Sequence, residues 1–128
     1  MIQLFRLKHL PVRFQEISLE ENNQQAKLAL DVFSYQIAKS ISALTASLTQ
    51  LDGIVFTGGI GENSSYVREQ IGSHLGLLNI TIDAQKNINT RFGKSGNICQ
   101  DKSRPCWVIP TNEEWVIAQQ SYQLLIKE

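Results

Sequence analysis

Residues 54–64, with the sequence IVFTGGIGENS, decide the fold of this chain. Positions 54–56 are β-branched or aromatic and have no polar face, which predicts a short strand covered on both sides. Glycines then stand where the chain must turn, and their missing Cβ atoms permit positive φ and the close approach of a ligand to the backbone. These glycines are Gly58, Gly59 and Gly61. The stretch therefore predicts a buried strand that leads into a glycine turn.

The polar residues after the glycine turn predict the start of a helix. Asn63 or Ser64 can cap it, and its apolar stripe would be Val67, Ile71 and Leu75. Free N–H groups at such a helix start, together with the helix dipole, favour anionic ligands such as phosphates. The stretch is neither a P-loop, because no Lys-Ser/Thr pair closes it, nor a dinucleotide fingerprint, because Ser64 takes the third glycine position. From glycine spacing alone, the stretch could equally be a tight connection between a strand and a helix that binds no ligand.

Length and composition limit the chain to one domain and argue against several classes of protein. With 128 residues and 42% hydrophobic content, it can form one core and not two. The formal net charge is zero and the basic residues are scattered, which argues against nucleic acid or an anionic membrane as a partner. No apolar run approaches the ~20 residues that span a bilayer, and none forms a signal peptide. Cys99 and Cys106 suit neither a disulfide framework nor a metal site, so we expect small, partly buried thiols in a soluble, cytoplasmic α/β domain.

The first half of the chain divides into an arm and a helix. Residues 1–19 lack a clean period and Pro11 interrupts any helix, so we expect an irregular N-terminal arm followed by a domain over residues 20–128. Acidic and capping residues at 20–23 precede a long helix. Its predicted core face consists of Ala26, Leu30, Phe33, Ile37, Ile41, Leu44 and Leu48.

The segment after the glycine turn is predicted from shorter patterns. Gly76 stands where a left-handed C-cap belongs, and residues 77–82 alternate like a strand. Asp83 can cap a short helical turn through residues 84–88. The basic loop, residues 91–96 (RFGKSG), is predicted to be a surface turn, and a contact with an anion stays open.

The last part of the chain predicts a second strand and a final helix. Residues 106–109 (CWVI) form the strand, which Pro110 stops, and a helix follows over 113–127 with a packed stripe of Trp115, Ala118, Tyr122 and Leu125. Thr111 or Asn112 can cap this helix. Two strands thus end in polar turns, which in a mostly parallel sheet meet at the carboxyl edge. A carboxylate there, such as Glu113, can hold Mg²⁺ directly or through water.

Four stretches of the chain together resemble acetate kinases. Residues 55–63 (VFTGGIGEN), followed by VRE at 67–69, resemble the adenosine-binding stretch of that family. The basic loop and residues 108–114 (VIPTNEE) are similar to two further stretches in the same order and spacing, and the helix at 26–33 (AKLALDVF) fits as well. The resemblance covers about residues 20–128.

The resemblance implies an α/β fold that is part of the second lobe of the actin-like fold (acetate and sugar kinases, heat-shock proteins and actin; ribonuclease H-like), with a mixed sheet flanked by helices. The family uses ATP or ADP with Mg²⁺ and transfers phosphoryl reversibly to acetate, giving acetyl phosphate. Glu113 matches the family's Mg²⁺-associated glutamate. The nucleotide site would be lined by Gly58, Gly59, Ile60, Gly61, Glu62 and Asn63.

The chain also departs from the family pattern. The acetate pocket, the transition-state arginines, the catalytic histidine and the first phosphate loop precede the region of resemblance. Arg13 lies at about the distance of a family Asp-x-Arg nucleotide contact, but Pro11 replaces the aspartate, which weakens that assignment. We therefore expect a C-terminal fragment of an acetate kinase that is inactive alone. The alternatives are an interaction module that associates, for example as a homodimer, through exposed apolar surface, and a fragment of a propionate or butyrate kinase.

Overall fold

The structure is a computed structural model that describes residues 24–126 and the backbone of residues 3–6. The strands are β1 (Gln3–Arg6), β2 (Ile54–Thr57), β3 (Gly96–Asn97) and β4 (Cys106–Val108). The α-helices are α1 (Gln24–Thr45), α2 (Gly58–Asn63), α3 (Ser65–Ser73), α4 (Ala84–Asn89) and α5 (Glu113–Leu125), and a 3-10 helix covers Gly76–Leu78. In the described part, none of the helices combines the length and the apolar character needed to cross a bilayer.

The four strands form one mixed sheet in the order β1-β2-β4-β3. β2 runs parallel to both of its neighbours, with Ile54 opposite Cys106, and β3 pairs antiparallel with β4. All four residues of β2 are buried, as the apolar run at 54–56 predicts. The paired residues of β1 lie within the predicted irregular arm, where the sequence did not indicate a strand. The predicted strands at 54–56 and 106–109 are therefore present as the centre of the sheet.

The core lies between the sheet and helices α1 and α3. Phe56 of β2 and Val108 of β4 are buried there beside the α3 residues Val67 and Ile71. Each such side chain contributes roughly 1.5–3 kcal/mol through removal of apolar surface from water. Cys99 and Cys106 are free thiols and belong to the same core. They are therefore more deeply buried than the sequence predicted.

The long helix α1 buries a face that is rotated from the predicted one toward Ser34 and Ala38, while the predicted core residues Phe33 and Ile37 are only partly buried. Its buried residues are Leu30, Ser34, Ala38 and Ile41. The helix ends at Thr45, before Leu48, and Leu44 is 41% exposed. Helix α1 packs against α3, and the buried Ser34 hydroxyl donates a hydrogen bond to the Leu30 carbonyl at 2.7 Å, so this polar side chain is satisfied within its own helix. A core face assigned from large apolar residues alone therefore omitted the buried positions Ser34 and Ala38.

The predicted strand at 77–82 is wrong. Gly76–Leu78 form a 3-10 helix, and Ile82 makes only an isolated bridge with Cys99. The predicted left-handed C-cap at Gly76 is also wrong, because Asn79 is the residue in that conformation, with φ of 56°. The Asn79 carbonyl accepts a hydrogen bond from the Arg104 backbone N–H at 2.7 Å. Hydrogen bonds to a distant loop thus replace the ladder that alternation alone suggested.

Two of the predicted helix caps are confirmed. The Ser64 hydroxyl accepts a hydrogen bond from the Val67 N–H at 3.3 Å, and so caps α3. The Asp83 carboxylate accepts one from the Lys86 N–H at 2.8 Å, and so caps α4. Each bond satisfies a donor that the first turn of a helix leaves without an intrahelical partner.

The final helix α5 does not bury the stripe that its sequence predicted. None of its residues is buried, and Trp115 and Leu125 are 58% and 75% exposed. Periodicity identified the helix correctly, but it could not show whether a neighbouring surface covers the apolar side. Within the described part of the chain, α5 therefore presents a large apolar surface to solvent.

Candidate functional site

The two polar turns meet at the carboxyl edge of the sheet. Because β2 and β4 are parallel neighbours, the glycine helix (α2, after β2) and the acidic turn (residues 111–114, after β4) begin side by side. One carboxylate oxygen, Glu62 Oε1, joins them. It accepts hydrogen bonds from the Gly58 N–H at 2.8 Å, the Thr111 N–H at 2.8 Å and the Thr111 hydroxyl at 2.9 Å. Glu62 is therefore a bridge between the two turns.

The glycine turn is itself a short helix, and Gly58 and Gly61 occupy different environments within it. Gly58 has φ of 78°, a conformation that residues with a Cβ rarely adopt, and it lets the helix start directly at the end of β2. A Cβ on Gly61 would lie 3.4 Å from the Phe56 carbonyl carbon, an ordinary van der Waals distance, so Gly61 packs against the strand but this packing does not require glycine. Glu62 accepts from the Gly58 N–H. The free N–H groups predicted at this turn are therefore partly used within the chain.

The six residues of the glycine helix divide into buried and accessible ones. Gly58, Ile60 and Gly61 are buried, and the Ile60 side chain belongs to the hydrophobic core. Gly59 is exposed, while Glu62 and Asn63 are half-buried. A ligand at this edge can therefore contact Gly59, Glu62 and Asn63, whereas the other three residues shape the helix.

Asn63 connects the glycine helix to the basic loop. Its Nδ2 donates to the Gly59 carbonyl at 3.0 Å, and its Oδ1 accepts from the Phe92 N–H at 3.0 Å. Phe92 has φ of 55° and is 70% exposed, and the Arg91 guanidinium lies 5.1 Å from the centre of its ring. The loop is a surface turn, as predicted, and it places an aromatic ring and a cation beside the glycine helix.

The acidic turn carries the candidate metal carboxylate. Residues Thr111, Asn112, Glu113 and Glu114 line a cavity of about 390 Å³. Asn112 stands at the N-cap of α5 but makes no capping hydrogen bond, so the predicted side-chain cap is absent here and the Thr111 hydroxyl bonds to Glu62 instead. Glu113 and Glu114 are exposed at the positive end of the α5 dipole.

The residues at this edge fit Mg²⁺ as a partial ligand set. Within residues 24–126, no group of three or more His, Cys, Asp or Glu side chains is arranged to hold a metal ion. Mg²⁺ commonly binds through one or two carboxylates and takes its remaining oxygens from water and substrate phosphates. Glu113 is a suitable carboxylate for that arrangement. The remaining predicted contact, Arg13, lies outside the described residues.

Sequence reasoning missed Arg68. It is fully buried, although arginine is among the residues least often buried. Its position carried a signal, because residues 64, 67, 68, 71 and 72 share one helical face and Arg68 is the one charge on it. A charged side chain on the core face of a helix needs partners, and tertiary structure supplies them from α2 and α4.

Comparison with known proteins shows the same family across most of the chain. The Acetokinase family profile matches residues 11–119. An acetate kinase of Shewanella sp. (strain W3-18-1) is 49% identical over 108 residues, which cover 84% of this chain and 27% of that protein. The chain thus spans about a quarter of the length of the curated relatives that it matches.

Solved structures agree in fold. A propionate kinase from Francisella tularensis subsp. tularensis SCHU S4 superposes with a TM-score of 0.71 at 41% identity, covering 83% of this chain and 27% of the other. An acetate kinase from Porphyromonas gingivalis gives a TM-score of 0.74 at 33% identity, covering 90% and 29%. These matches confirm the predicted α/β class and the actin-like kinase fold, and the chain belongs to the acetokinase family.

Proposed function

We propose that this chain is the part of an acetate kinase that carries half of its nucleotide site, for ATP or ADP with Mg²⁺. The observation that supports this most is the Glu62 bridge, which holds a glycine helix and an acidic turn together at the carboxyl edge of parallel strands. Ligands of open α/β sheets bind at this edge. A nucleotide along the glycine helix would bring its phosphates toward the acidic turn.

Each group at the edge has a role in this proposal. The exposed backbone of Gly59 and the amide of Asn63 would contact the adenosine, while Gly58, Ile60 and Gly61 shape the helix that presents them. Glu62 keeps the two turns in register. Glu113 would hold Mg²⁺ together with water and phosphate oxygens, and the bound ion would neutralise charge on the transferring phosphoryl group.

We expect the isolated chain to bind nucleotide weakly and to phosphorylate neither acetate nor a longer carboxylate. In-line transfer requires an acceptor and cationic groups held in position around the phosphoryl group. In the described part, the carboxyl edge presents Arg91 and Lys94 as cations, both on a surface loop. Acetate, propionate or butyrate specificity would then depend on polypeptide that supplies the acceptor site. A cytoplasmic location belongs to the same proposal.

The test is a titration of the labelled chain with MgATP, followed by amide NMR shifts. We expect shifts confined to residues 58–63, the basic loop and the acidic turn. Glu113→Gln should weaken the response to Mg²⁺ at constant ATP, and Glu114→Gln, the neighbouring exposed carboxylate, should leave it unchanged. Absence of shifts at these residues would refute the half-site, and equal loss in both variants would refute the role of Glu113.

A second candidate function, association, is favoured by α5. Its exposed apolar residues include Trp115, Ile117, Tyr122, Leu124 and Leu125. Exposed apolar patches of this kind mark protein–protein contacts. Light scattering should then give a mass that rises with concentration, and Leu125→Lys should abolish the rise, whereas Leu77→Lys, at an exposed position on the 3-10 helix, should not. A monomeric mass at every concentration would refute association.

A further inference from the structure

The buried Arg68 uses every donor of its guanidinium group. Nε donates to the Asn87 side-chain oxygen at 2.7 Å. Nη1 donates to the carbonyls of Gly61 and Glu62, each at 2.9 Å. Nη2 donates to the carbonyls of Asn87 at 2.7 Å and Thr90 at 2.9 Å. Five N–H groups therefore meet five acceptors, which is the full capacity of an arginine.

All five acceptors are uncharged. Among the described residues, the ion pairs are Lys27–Asp31 and Lys86–Asp101, and neither involves Arg68. Four of the acceptors are backbone carbonyls at or just past the C-terminal ends of α2 and α4. Helix C-termini carry carbonyls without intrahelical partners and the negative end of the dipole, so they stabilise a cation. Two helix ends thus take the place of a carboxylate.

The cation persists at neutral pH despite its burial. Burial, and secondarily the charge of Arg91, lowers the pKa of Arg68 to about 10, which still leaves the guanidinium protonated near pH 7. Asn87 is held in turn, since its Nδ2 donates to the Ser65 carbonyl at 2.8 Å. The guanidinium of Arg68 and the side-chain amide of its partner Asn87 are therefore both held by hydrogen bonds within the chain.

The segments that Arg68 joins are those that border the candidate nucleotide site. On one side it bonds the carbonyls of Gly61 and Glu62, directly before Asn63. On the other it bonds the carbonyl of Thr90, directly before the basic loop, whose Phe92 N–H bonds to Asn63. One side chain, Arg68, therefore holds both the glycine helix that ends at Asn63 and the start of the basic loop that bonds to Asn63.

We propose that Arg68 is a positioning residue that holds the glycine helix and residues 90–92 in the arrangement that receives nucleotide. This inference rests on the proposed nucleotide site. Lysine cannot replace Arg68, because an ammonium group has three donors and no planar fork, and would leave at least two of the buried acceptors without a partner.

The experiment compares Arg68→Lys with Arg104→Lys in the full chain. Arg104 is a matched control, since its half-buried guanidinium Nε donates to the Leu78 carbonyl at 3.0 Å, on a segment apart from the site. Amide hydrogen exchange is measured first, without nucleotide, and binding of MgADP is then followed by NMR. We expect Arg68→Lys to accelerate exchange at residues 58–63 and 90–92 and to weaken MgADP binding about tenfold. Arg104→Lys should change neither.

The outcomes separate this inference from the proposed function. Unchanged exchange and unchanged MgADP binding in Arg68→Lys would overturn the inference and leave the nucleotide site intact. If the unsubstituted chain does not bind MgADP, the proposed function fails, and the exchange pattern alone decides whether Arg68 positions the glycine helix. If Arg68→Lys does not fold, Asn87→Ala removes the acceptor of Nε and should shift exchange at residues 90–92 in the same direction, by less.

Discussion

The Glu62 bridge leads to the sharpest prediction. Replacing Glu62 with alanine removes one carboxylate oxygen and with it three hydrogen bonds, two of them to Thr111 and one to Gly58. A hydrogen bond to a charged group contributes roughly 1.5–3 kcal/mol when its donor would otherwise lose its partner. The Gly58 N–H lies at a partly buried site, so this range applies to it.

The two bonds to Thr111 are exposed, and water can replace their acceptor. They contribute about 0.5 kcal/mol each at the lower end of the usual range. The sum predicts that Glu62→Ala lowers the free energy of unfolding by about 3 kcal/mol. Glu62→Gln keeps an acceptor oxygen without the charge, and should lose about half as much.

Urea denaturation followed by circular dichroism measures these differences, and an unchanged dependence on urea concentration would show that only stability has changed. Glu69→Gln, on the exposed side of α3, is the control and should stay within about 0.5 kcal/mol of the unsubstituted chain. A loss below about 1 kcal/mol for Glu62→Ala would refute the bridge. So would additive effects of Glu62→Ala and Thr111→Val, because the hydroxyl of Thr111 contacts the Glu62 carboxylate and the two residues should show a coupling free energy.

Three further predictions concern packing, capping and pH. Gly72→Ala should destabilise the chain by about 1–3 kcal/mol, because its Cβ would lie 2.4 Å from Ile82 Cγ1. Gly76→Ala is the control, since a Cβ there meets nothing within 4 Å, and it should be neutral or slightly stabilising. Thermal unfolding measures both. Ser64→Ala should cost about 1 kcal/mol and lower the melting temperature, because α3 loses its cap. Hydrogen bonds from a lysine and a tyrosine lower the pKa of Asp31, so its stabilisation is present above the usual aspartate pKa of about 3.9 and is lost as the pH falls through the lower folded value. Stability curves of Asp31→Asn and the unsubstituted chain should therefore converge at acid pH, and a constant gap would contradict this.

Local sequence was sufficient where a pattern has one structural meaning. The apolar run at 54–56 is a buried strand, and the residues after the glycine helix start α3 at the cap that Ser64 provides. Asp83 caps α4 for the same reason, since its side chain reaches only as far as the next turn. These features depend on neighbours within a few residues, so the physical cause lies within the stretch itself.

Prediction failed where the deciding partner is distant in sequence. Alternation at 77–82 suggested a strand, but the carbonyl of Asn79 is bonded by Arg104, 25 positions further on by the numbering. The stripe of α5 has helical periodicity, yet none of its residues is buried in the described part. Periodicity reports which side of an element is apolar, and it contains no information on what covers that side.

The candidate site divides in the same way. Sequence alone indicated a glycine turn after β2 and an acidic turn after β4, and predicted both at one edge of a mostly parallel sheet, because glycines, capping residues and carboxylates can be recognised locally. It did not predict that the glycine turn is a helix over Gly58–Asn63. Only the tertiary structure decided that Glu62 joins the two turns and that Arg68 bonds to the carbonyls of the glycine helix from the core side. Arg68 reaches the glycine helix over 6 and 7 positions, but its other partners, Asn87 and Thr90, lie 19 and 22 positions away, and Glu62 and Thr111 are 49 positions apart. These longer separations in sequence are closed only when the strands pair and the helices pack.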